Sequence, residues 1–215
     1  MKRYLKINDQ ERSPMKILFI NACVRKDSRT LRLCHHYLNL IKQTDPLKNC
    51  VIQTVNLQEK ELRPLNEESL KLREEDINRQ AFADSRYDCA KDFAAADLIL
   101  IGAPYWDFSF PAALKIYFEN ICINCLTFYY DEQGIPNSLC HAAKVIYITT
   151  AGGYIGEHNT GAMYVKDLCS TLFGIKEFHA ISAEGLDIQG NNIDNILNEA
   201  VEKINAAVKS LGSDI

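Results

Sequence analysis

The stretch ADLILIGAPYWDFSFP, residues 96–111, constrains the fold more than any other part of the sequence. Residues 98–101 form an unbroken apolar run that ends at Gly102, which is typical of a strand buried on both faces. Such strands belong to parallel sheets that are covered by helices. Pro111 suits the first residue of a helix, and we predict a helix over residues 112–124.

A loop rich in aromatic side chains lies between that strand and that helix. In an open α/β sheet, ligands bind just beyond the carboxyl ends of the strands, so this loop could form a wall for a flat ring. The alternative is that its aromatic side chains only cover the edge of the sheet. The residues concerned are Tyr105, Trp106 and Phe108.

The composition indicates one globular domain. The 215 residues are 47% hydrophobic and 24% charged, and a net charge of -4 gives no electrostatic reason to bind nucleic acid or an anionic membrane. No apolar run approaches the about 20 residues that span a bilayer, and residues 1–14 are polar, without the apolar core of a signal peptide. We expect a cytoplasmic protein with an N-terminal extension, residues 1–14, and one domain, residues 15–215.

Cysteine usage agrees with a reducing compartment. Eight cysteines in a chain without an export signal are expected to be free thiols. Only Cys122 and Cys125 form a C-x-x-C, and we expect both to be small hydrophobic core residues at the end of the predicted helix; a redox or metal pair is the alternative. The five histidines show no metal-ligand spacing, so we predict no metal site.

The succession of elements predicts a doubly wound α/β fold. Amphipathic helical patterns alternate with apolar runs, apart from a charged segment, residues 58–75, that is expected to lead into exposed helices. We predict a flavodoxin-like five-stranded parallel sheet in the order 2-1-3-4-5, with helices on both faces. The predicted strands are residues 15–21, 51–57, 98–101, 144–150 and 177–183. The later predicted helices are residues 82–95, 112–124, 162–173 and 192–211.

The turn after the first strand is a candidate phosphate cradle. Residues 22–30 (ACVRKDSRT) place Ser28 at a helix start, where backbone N–H groups attract anions, and Arg25 and Arg29 add positive charge. Ser28 could equally be only the N-cap of the helix. The chain contains neither G-x-G-x-x-G nor a P-loop motif, so neither a dinucleotide turn nor a nucleotide triphosphate loop is supported.

The fourth strand runs into Ala151-Gly152-Gly153-Tyr154. Two glycines after a buried strand let the backbone approach a ligand closely, although they could also form only a tight turn. In the predicted order, the ends of strands 1, 3 and 4 lie together. A phosphate cradle, an aromatic wall and a glycine strip at one site describe a flavin mononucleotide (FMN) pocket better than any other common ligand site.

These motifs together resemble the FMN-dependent NAD(P)H azoreductase and quinone reductase family. The resemblance covers residues 15–190 and rests on four segments: SRT at 28–30, PYWDFSFPAALK at 104–115, TFYY at 127–130 and TTAGG at 149–153. It implies tightly bound FMN, NADH or NADPH as co-substrate, a homodimer, and an aromatic electron acceptor such as a quinone or azo compound. Hydride chemistry would occur on the flavin, so no catalytic side chain is expected.

The resemblance also implies roles for individual residues. The phosphate would be held by Ser28, Arg29 and Thr30, the ring by Pro104, Tyr105, Trp106, Asp107 and Phe108, and the pyrimidine edge by Thr150, Ala151, Gly152 and Gly153. The substrate cavity would include Tyr130, Tyr154 and Phe173.

Three positions depart from the family pattern. Ala22 or Cys23 stands at an early phosphate-turn position that is commonly serine in the family, with Arg25 expected to compensate by its charge. Asp107 replaces the usual asparagine, and Ala151 replaces a frequent arginine. Two alternatives therefore stay open at this point: a flavodoxin-type electron carrier, and a regulatory relative that has lost flavin.

Overall fold

In the computed structural model, the described residues are 14–45 and 47–213, so the predicted N-terminal extension lies outside them except for Pro14. Five parallel strands form the central sheet, and two short strands form an antiparallel hairpin. In chain order the strands are β1 (Lys16–Asn21), β2 (Val51–Asn56), β3 (Leu98–Gly102), β4 (Phe128–Tyr130), β5 (Pro136–Ser138), β6 (Lys144–Thr150) and β7 (Glu177–Ala183).

The sheet order is β2-β1-β3-β6-β7, which confirms the predicted order 2-1-3-4-5. The hairpin of β4 and β5 is inserted in the chain between the third and fourth strands of the sheet. The register aligns Asn21 with Gly102, and Gly102 with Ile148, so the carboxyl ends of β1, β3 and β6 lie side by side.

The helices cover both faces of the sheet because the strand side chains alternate between them. Ile17 and Phe19 face one core cluster, and Leu18 and Ile20 face the other. The helices are α1 (Arg29–Gln43), α2 (Glu67–Arg79), α3 (Asp88–Ala95), α4 (Ala112–Ile121), α5 (Thr160–Thr171) and α6 (Ile193–Ser213). Helices α1 and α6 cover the first cluster, and α3, α4 and α5 cover the second.

Helix α2 is exposed, as the charged sequence predicts, with no fully buried side chain. Helix α3 is shorter than the predicted helix over 82–95. The Asp84 carboxylate accepts the Arg86 N–H and caps a 3-10 turn over Ser85–Tyr87, so the α-helix begins only at Asp88. No helix within residues 14–45 and 47–213 combines the length and apolar character needed to cross a membrane.

Helix α4 ends at Ile121, three residues earlier than predicted. The Thr127 hydroxyl donates to Ile121 O at 2.7 Å and accepts from Ile123 N–H at 3.1 Å, which turns the chain away from helical geometry. Cys122 is half-buried, and burial raises the pKa of its thiol to about 11. Cys125, in contrast, is exposed at φ +66°, so the expected core position of this residue is wrong.

Candidate active site

The loops after β1, β3 and β6 converge around a cleft of about 380 Å³. Because these strands are neighbours in the sheet, their loops meet at the carboxyl edge, where ligands of such folds bind. Nine of the predicted cofactor residues line the cleft: Arg25, Ser28, Arg29, Pro104, Tyr105, Trp106, Thr150, Ala151 and Gly152.

The phosphate turn, residues 22–30, is held at both ends by hydrogen bonds. At its start, the Asn21 side chain accepts the Cys23 N–H at 3.0 Å. At its end, the Ser28 hydroxyl accepts the Leu31 N–H and caps α1. The N–H groups of Arg29 and Thr30 belong to the first helical turn and have no acceptor within the helix. This donor set suits an anion.

Two predicted residues of this turn lie beneath the cleft surface. Ala22 is fully buried, and its N–H donates to Gly102 O at 2.9 Å, so the structure does not bring Ala22 to the cleft. Thr30 is also fully buried, and its hydroxyl is 2.7 Å from that of Thr150. Thr30 can therefore reach a ligand only through its backbone N–H, while its side chain fixes the turn to the end of β6.

The thiol beside this turn is not activated. Burial raises the pKa of Cys23, and a hydrogen bond with the Ser28 side chain offsets only part of the increase. Cys34, on α1 beneath the turn, is fully buried and its pKa is raised by the same cause. Both sulfurs therefore stay protonated at neutral pH and contribute packing rather than nucleophilic chemistry.

The aromatic loop, residues 104–110, is built on a two-residue turn. Trp106 and Ser109 exchange N–H···O bonds in both directions, and the residues between them, Asp107 and Phe108, have φ values of +48° and +64°. This is the backbone of a type I′ hairpin turn, in which asparagine and aspartate are favoured and phenylalanine is unusual. Asp107 and Phe108 are both exposed, and neither is among the residues that line the cleft.

Contacts from the segment before α5 support this turn. The Tyr105 hydroxyl donates to His158 O at 3.1 Å, and the Thr160 hydroxyl donates to Phe108 O. The Tyr105 N–H donates to Thr150 O at 3.0 Å, which ties the loop to the end of β6. Tyr105 is half-buried, whereas Trp106 remains 42% exposed at the mouth of the cleft.

The glycine strip, residues 150–153, packs against the loop that follows β7. The Leu186 N–H donates to Ala151 O, the Asp187 N–H to Gly152 O, and the Gly185 N–H to Gly153 O. A Cβ atom at residue 152 would lie 3.1 Å from Asp187 Cγ and closer still to its Oδ2. The absence of a side chain at Gly152 therefore leaves room for the Asp187 carboxylate in its present position. Gly153 lies outside the cleft lining.

Sequence reasoning missed four residues that line the cleft: Val24, Asp27, Leu186 and Asp187. The last of them accepts a hydrogen bond in an ion pair, with Arg29 Nη1 and Asp187 Oδ1 2.9 Å apart. The available signal was topological, because the fifth strand neighbours the fourth and its loop must reach the same edge. The charged side chains of the lining are two arginines and two aspartates, whose formal charges cancel.

The predicted substrate-cavity residues separate into two groups. Tyr130 and Tyr154 are 53% and 70% exposed, and the Tyr130 ring packs against Phe128 in the hairpin. Phe173 is instead 1% exposed, with its ring 4.7 Å from that of Phe93 in the core. The structure therefore does not place Phe173 in a substrate cavity, because the end of α5 buries this side chain under the sheet.

Comparison with known proteins agrees with the fold. The sequence profile of a family described as flavodoxin-like fold matches residues 15–208, and the chain belongs to this family. Among its relatives are the FMN-dependent NADH:quinone oxidoreductase 2 of Clostridium acetobutylicum, 32% identical, and the FMN-dependent NADH:quinone oxidoreductase of Clostridium beijerinckii, 31% identical. These alignments cover 90% and 91% of this chain and 98% of each relative.

A solved structure supports the same fold. The azoreductase from Bacillus anthracis superposes with a TM-score of 0.79 at 20% sequence identity. The match covers 91% of this chain and 99% of the azoreductase chain.

Proposed function

We propose that the protein is an FMN-dependent NAD(P)H oxidoreductase that reduces quinones, azo compounds or related aromatic acceptors. The observation that carries this proposal is the cleft, in which an anion-binding helix start, an aromatic wall and a backbone strip face one another. The two Clostridium relatives described above carry names of this activity, and both names specify NADH, which favours NADH as the donor.

The donor set of the cleft fits FMN in its three parts. Ser28, Arg29 and the free N–H groups of α1 would hold the phosphate, since hydroxyl, guanidinium and helix N-terminal donors all suit a dianion. Tyr105 and Trp106 would flank the ring system. Residues 150–152 would present backbone groups to the polar edge of the ring.

When bound, FMN supplies the chemistry by accepting a hydride from NAD(P)H and passing reducing equivalents to the acceptor. The protein's own contribution is to position the flavin ring and the second substrate. Tyr105 and Trp106 orient a flat ring, and the open mouth beside Trp106 leaves room for a second flat molecule. Donor and acceptor would occupy this space in turn, which predicts ping-pong kinetics and requires no acid or base side chain.

We further propose that the protein is a homodimer whose interface includes the mouth of the cleft. Large apolar side chains are exposed on the aromatic loop, on the hairpin of β4 and β5, after β6 and on α5, and exposed apolar patches mark interaction sites. They include Trp106, Phe108, Tyr130, Ile135, Tyr154 and Met163. Sedimentation equilibrium should give a mass near twice 24.4 kDa, and a monomer at micromolar concentration would contradict this part of the proposal.

All eight cysteines are free thiols, which is typical of a reducing compartment. We therefore also propose that the protein is located in the cytoplasm. Fractionation of cells that express the tagged protein, with blotting of cytosolic and membrane fractions, tests this placement.

The decisive experiment is an anaerobic absorbance titration. The purified protein, loaded with FMN and freed of excess, should show oxidised flavin bands that bleach on addition of NADH and return on addition of a simple quinone. Bands that bleach with dithionite but with neither NADH nor NADPH would overturn the oxidoreductase and favour an electron carrier. A protein that retains no flavin after loading would overturn the FMN site itself.

A further inference from the structure

The ion pair between Arg29 and Asp187 crosses the cleft. Arg29 is the first residue of α1, at the end of the phosphate turn, and Asp187 belongs to the loop after β7. Their side chains are 36% and 71% exposed, so the pair lies at the surface of the cleft rather than within the core. The guanidinium that is closest to the helix start therefore already has a carboxylate partner.

The backbone of Asp187 is held in place by its neighbours. Its N–H donates to Gly152 O at 2.9 Å, and its carboxylate lies against the bare Cα of Gly152. The preceding Leu186 is 2% exposed and anchors the loop in the core. A ligand that enters the cleft thus meets a carboxylate whose backbone is held in place and whose side chain is already paired with Arg29.

The charge of the cleft follows from this arrangement. The negative charges of Asp187 and Asp27 cancel the positive charges of Arg29 and Arg25. The lining therefore carries no net formal charge where a phosphate dianion would bind. Without Asp187, Arg29 could turn both of its terminal nitrogens to a phosphate, and the lining would be positive by one charge.

We propose that Asp187 is a specificity-determining residue that lowers the preference of the cleft for phosphorylated flavin, FMN, over its unphosphorylated form, riboflavin. This inference rests on the proposed function, because it concerns the same flavin site. Asp187 acts by pairing with Arg29 and by repelling the phosphate. Riboflavin has no phosphate and is insensitive to both effects.

The test compares the dissociation constants of FMN and riboflavin, measured by flavin fluorescence quenching on the apoprotein, for wild type and Asp187→Asn. The ratio of the riboflavin constant to the FMN constant should rise about tenfold, as expected for one charge near a dianion in a solvated cleft. The affinity for FMN should also become steeply salt-dependent, because screening acts on the new net charge.

Two control variants accompany the test. Asp45→Asn removes a carboxylate from a similar exposed ion pair, with Lys48, beyond the opposite end of α1 and about 22 Å away. It changes the net charge by the same amount and should leave the ratio unchanged. Asp187→Glu retains the charge and should also keep the ratio close to that of wild type.

The outcomes separate this inference from the proposed function. A lower FMN affinity in Asp187→Asn, with riboflavin unchanged, would mean that Asp187 positions Arg29 for phosphate, which overturns the inference. An unchanged ratio, or an equal rise in Asp45→Asn, overturns it as well. In each of these cases wild type still binds FMN and is reduced by NADH, whereas failure of the proposed function would abolish flavin binding or reduction in wild type itself.

Discussion

The phosphate turn and the aromatic loop follow neighbouring strands, yet they are held in different ways. The phosphate turn is fixed by ordinary capping, with Asn21 and Ser28 accepting backbone N–H groups at its two ends. The aromatic loop contains two non-glycine residues at positive φ, Asp107 and Phe108. A left-handed conformation costs about 1–2 kcal/mol for an L-residue with a bulky side chain.

Contacts from outside offset that cost in the aromatic loop. The Tyr105 hydroxyl donates a hydrogen bond to His158 O, and Phe108 O accepts one from the Thr160 hydroxyl. The Tyr105 N–H also donates to Thr150 O. Local side chains therefore cap both ends of the phosphate turn, in addition to its contacts with β3 and β6, whereas the positive-φ turn of the ring-binding wall depends on residues 158–160. Strain of this kind is common at binding sites, where the surrounding structure determines the conformation.

The largest effect should come from removing the cation of the cradle. Arg29→Ala is expected to weaken FMN binding by about 1–3 kcal/mol, because it removes a charge-assisted donor and leaves Asp187 unpaired. Calorimetric titration with FMN and riboflavin measures the effect, and riboflavin affinity should change little. The control is Arg32→Ala, one turn further along α1 and outside the cleft lining. Equal losses in both variants would remove Arg29 from the phosphate site.

Ser28 allows stability and binding to be separated in the same turn. Ser28→Ala should lower the free energy of unfolding by about 1 kcal/mol through the lost N-cap. Ser28→Asp restores a capping acceptor, so stability should recover, but its charge should weaken FMN binding further. Urea denaturation of the apoprotein, together with FMN titration, checks both expectations. Tight FMN binding by Ser28→Asp would place the phosphate elsewhere.

A glycine at position 108 should relieve the strain of the aromatic loop. Phe108 is 64% exposed in the single subunit, so in the monomeric state Phe108→Gly loses little packing and should raise the free energy of unfolding by about 0.5–1 kcal/mol. Thermal and urea unfolding of the apoprotein measure the change. Phe108→Ala removes the same ring but keeps the positive φ, and it should show no gain. Equal stabilisation by the two variants would mean that the exposed ring, and not the backbone, was responsible.

The smallest effect should come from substitution of Glu184, which holds the segment between β6 and α5. Its carboxylate accepts from Ile155 N–H at 2.9 Å and from the Ser182 hydroxyl at 2.8 Å. Burial alone would raise the pKa of Glu184, but these hydrogen bonds and the charge of Lys203 outweigh it and lower the pKa below 4.5.

A lowered pKa in the folded state means that Glu184 contributes stability above pH 4.5, and that the contribution is lost as the pH falls through the folded-state pKa. Glu184→Gln should therefore be less stable than wild type at neutral pH, and the difference should shrink on acidification. Urea denaturation across this range tests the sign. Glu157→Gln, in the same exposed segment, serves as the control, and a difference that grows on acidification would contradict the assignment.

The sequence predicted the fold and most of the cleft because both depend on strong local patterns. The apolar run of β3 and the glycines after β6 mark strand ends, and the strand order brings those ends together. The predicted bounds of β6 and β7 agree with the structure to the residue. The binding roles of the lining residues remain predictions.

The features of the site that the sequence did not predict depend on contacts that form only in the folded protein. Nothing in the order Trp-Asp-Phe-Ser indicates a type I′ turn, since its usual glycine is missing. Ala22 follows the last strand residue and continues the backbone ladder to Gly102, which a count of positions in the turn cannot reveal. Asp187 lies far from the other loops in sequence. The strand order places its loop at the same edge of the sheet, and backbone bonds from residues 185–187 to residues 151–153 bring it into the cleft.

The contact between Gly152 and Asp187 also limits which substitutions these two positions accept. Any side chain at position 152 must displace the carboxylate at 187, and with it the partner of Arg29. We therefore expect the two positions, 35 residues apart, to change together among relatives, so that a side chain at position 152 accompanies the loss of aspartate at position 187.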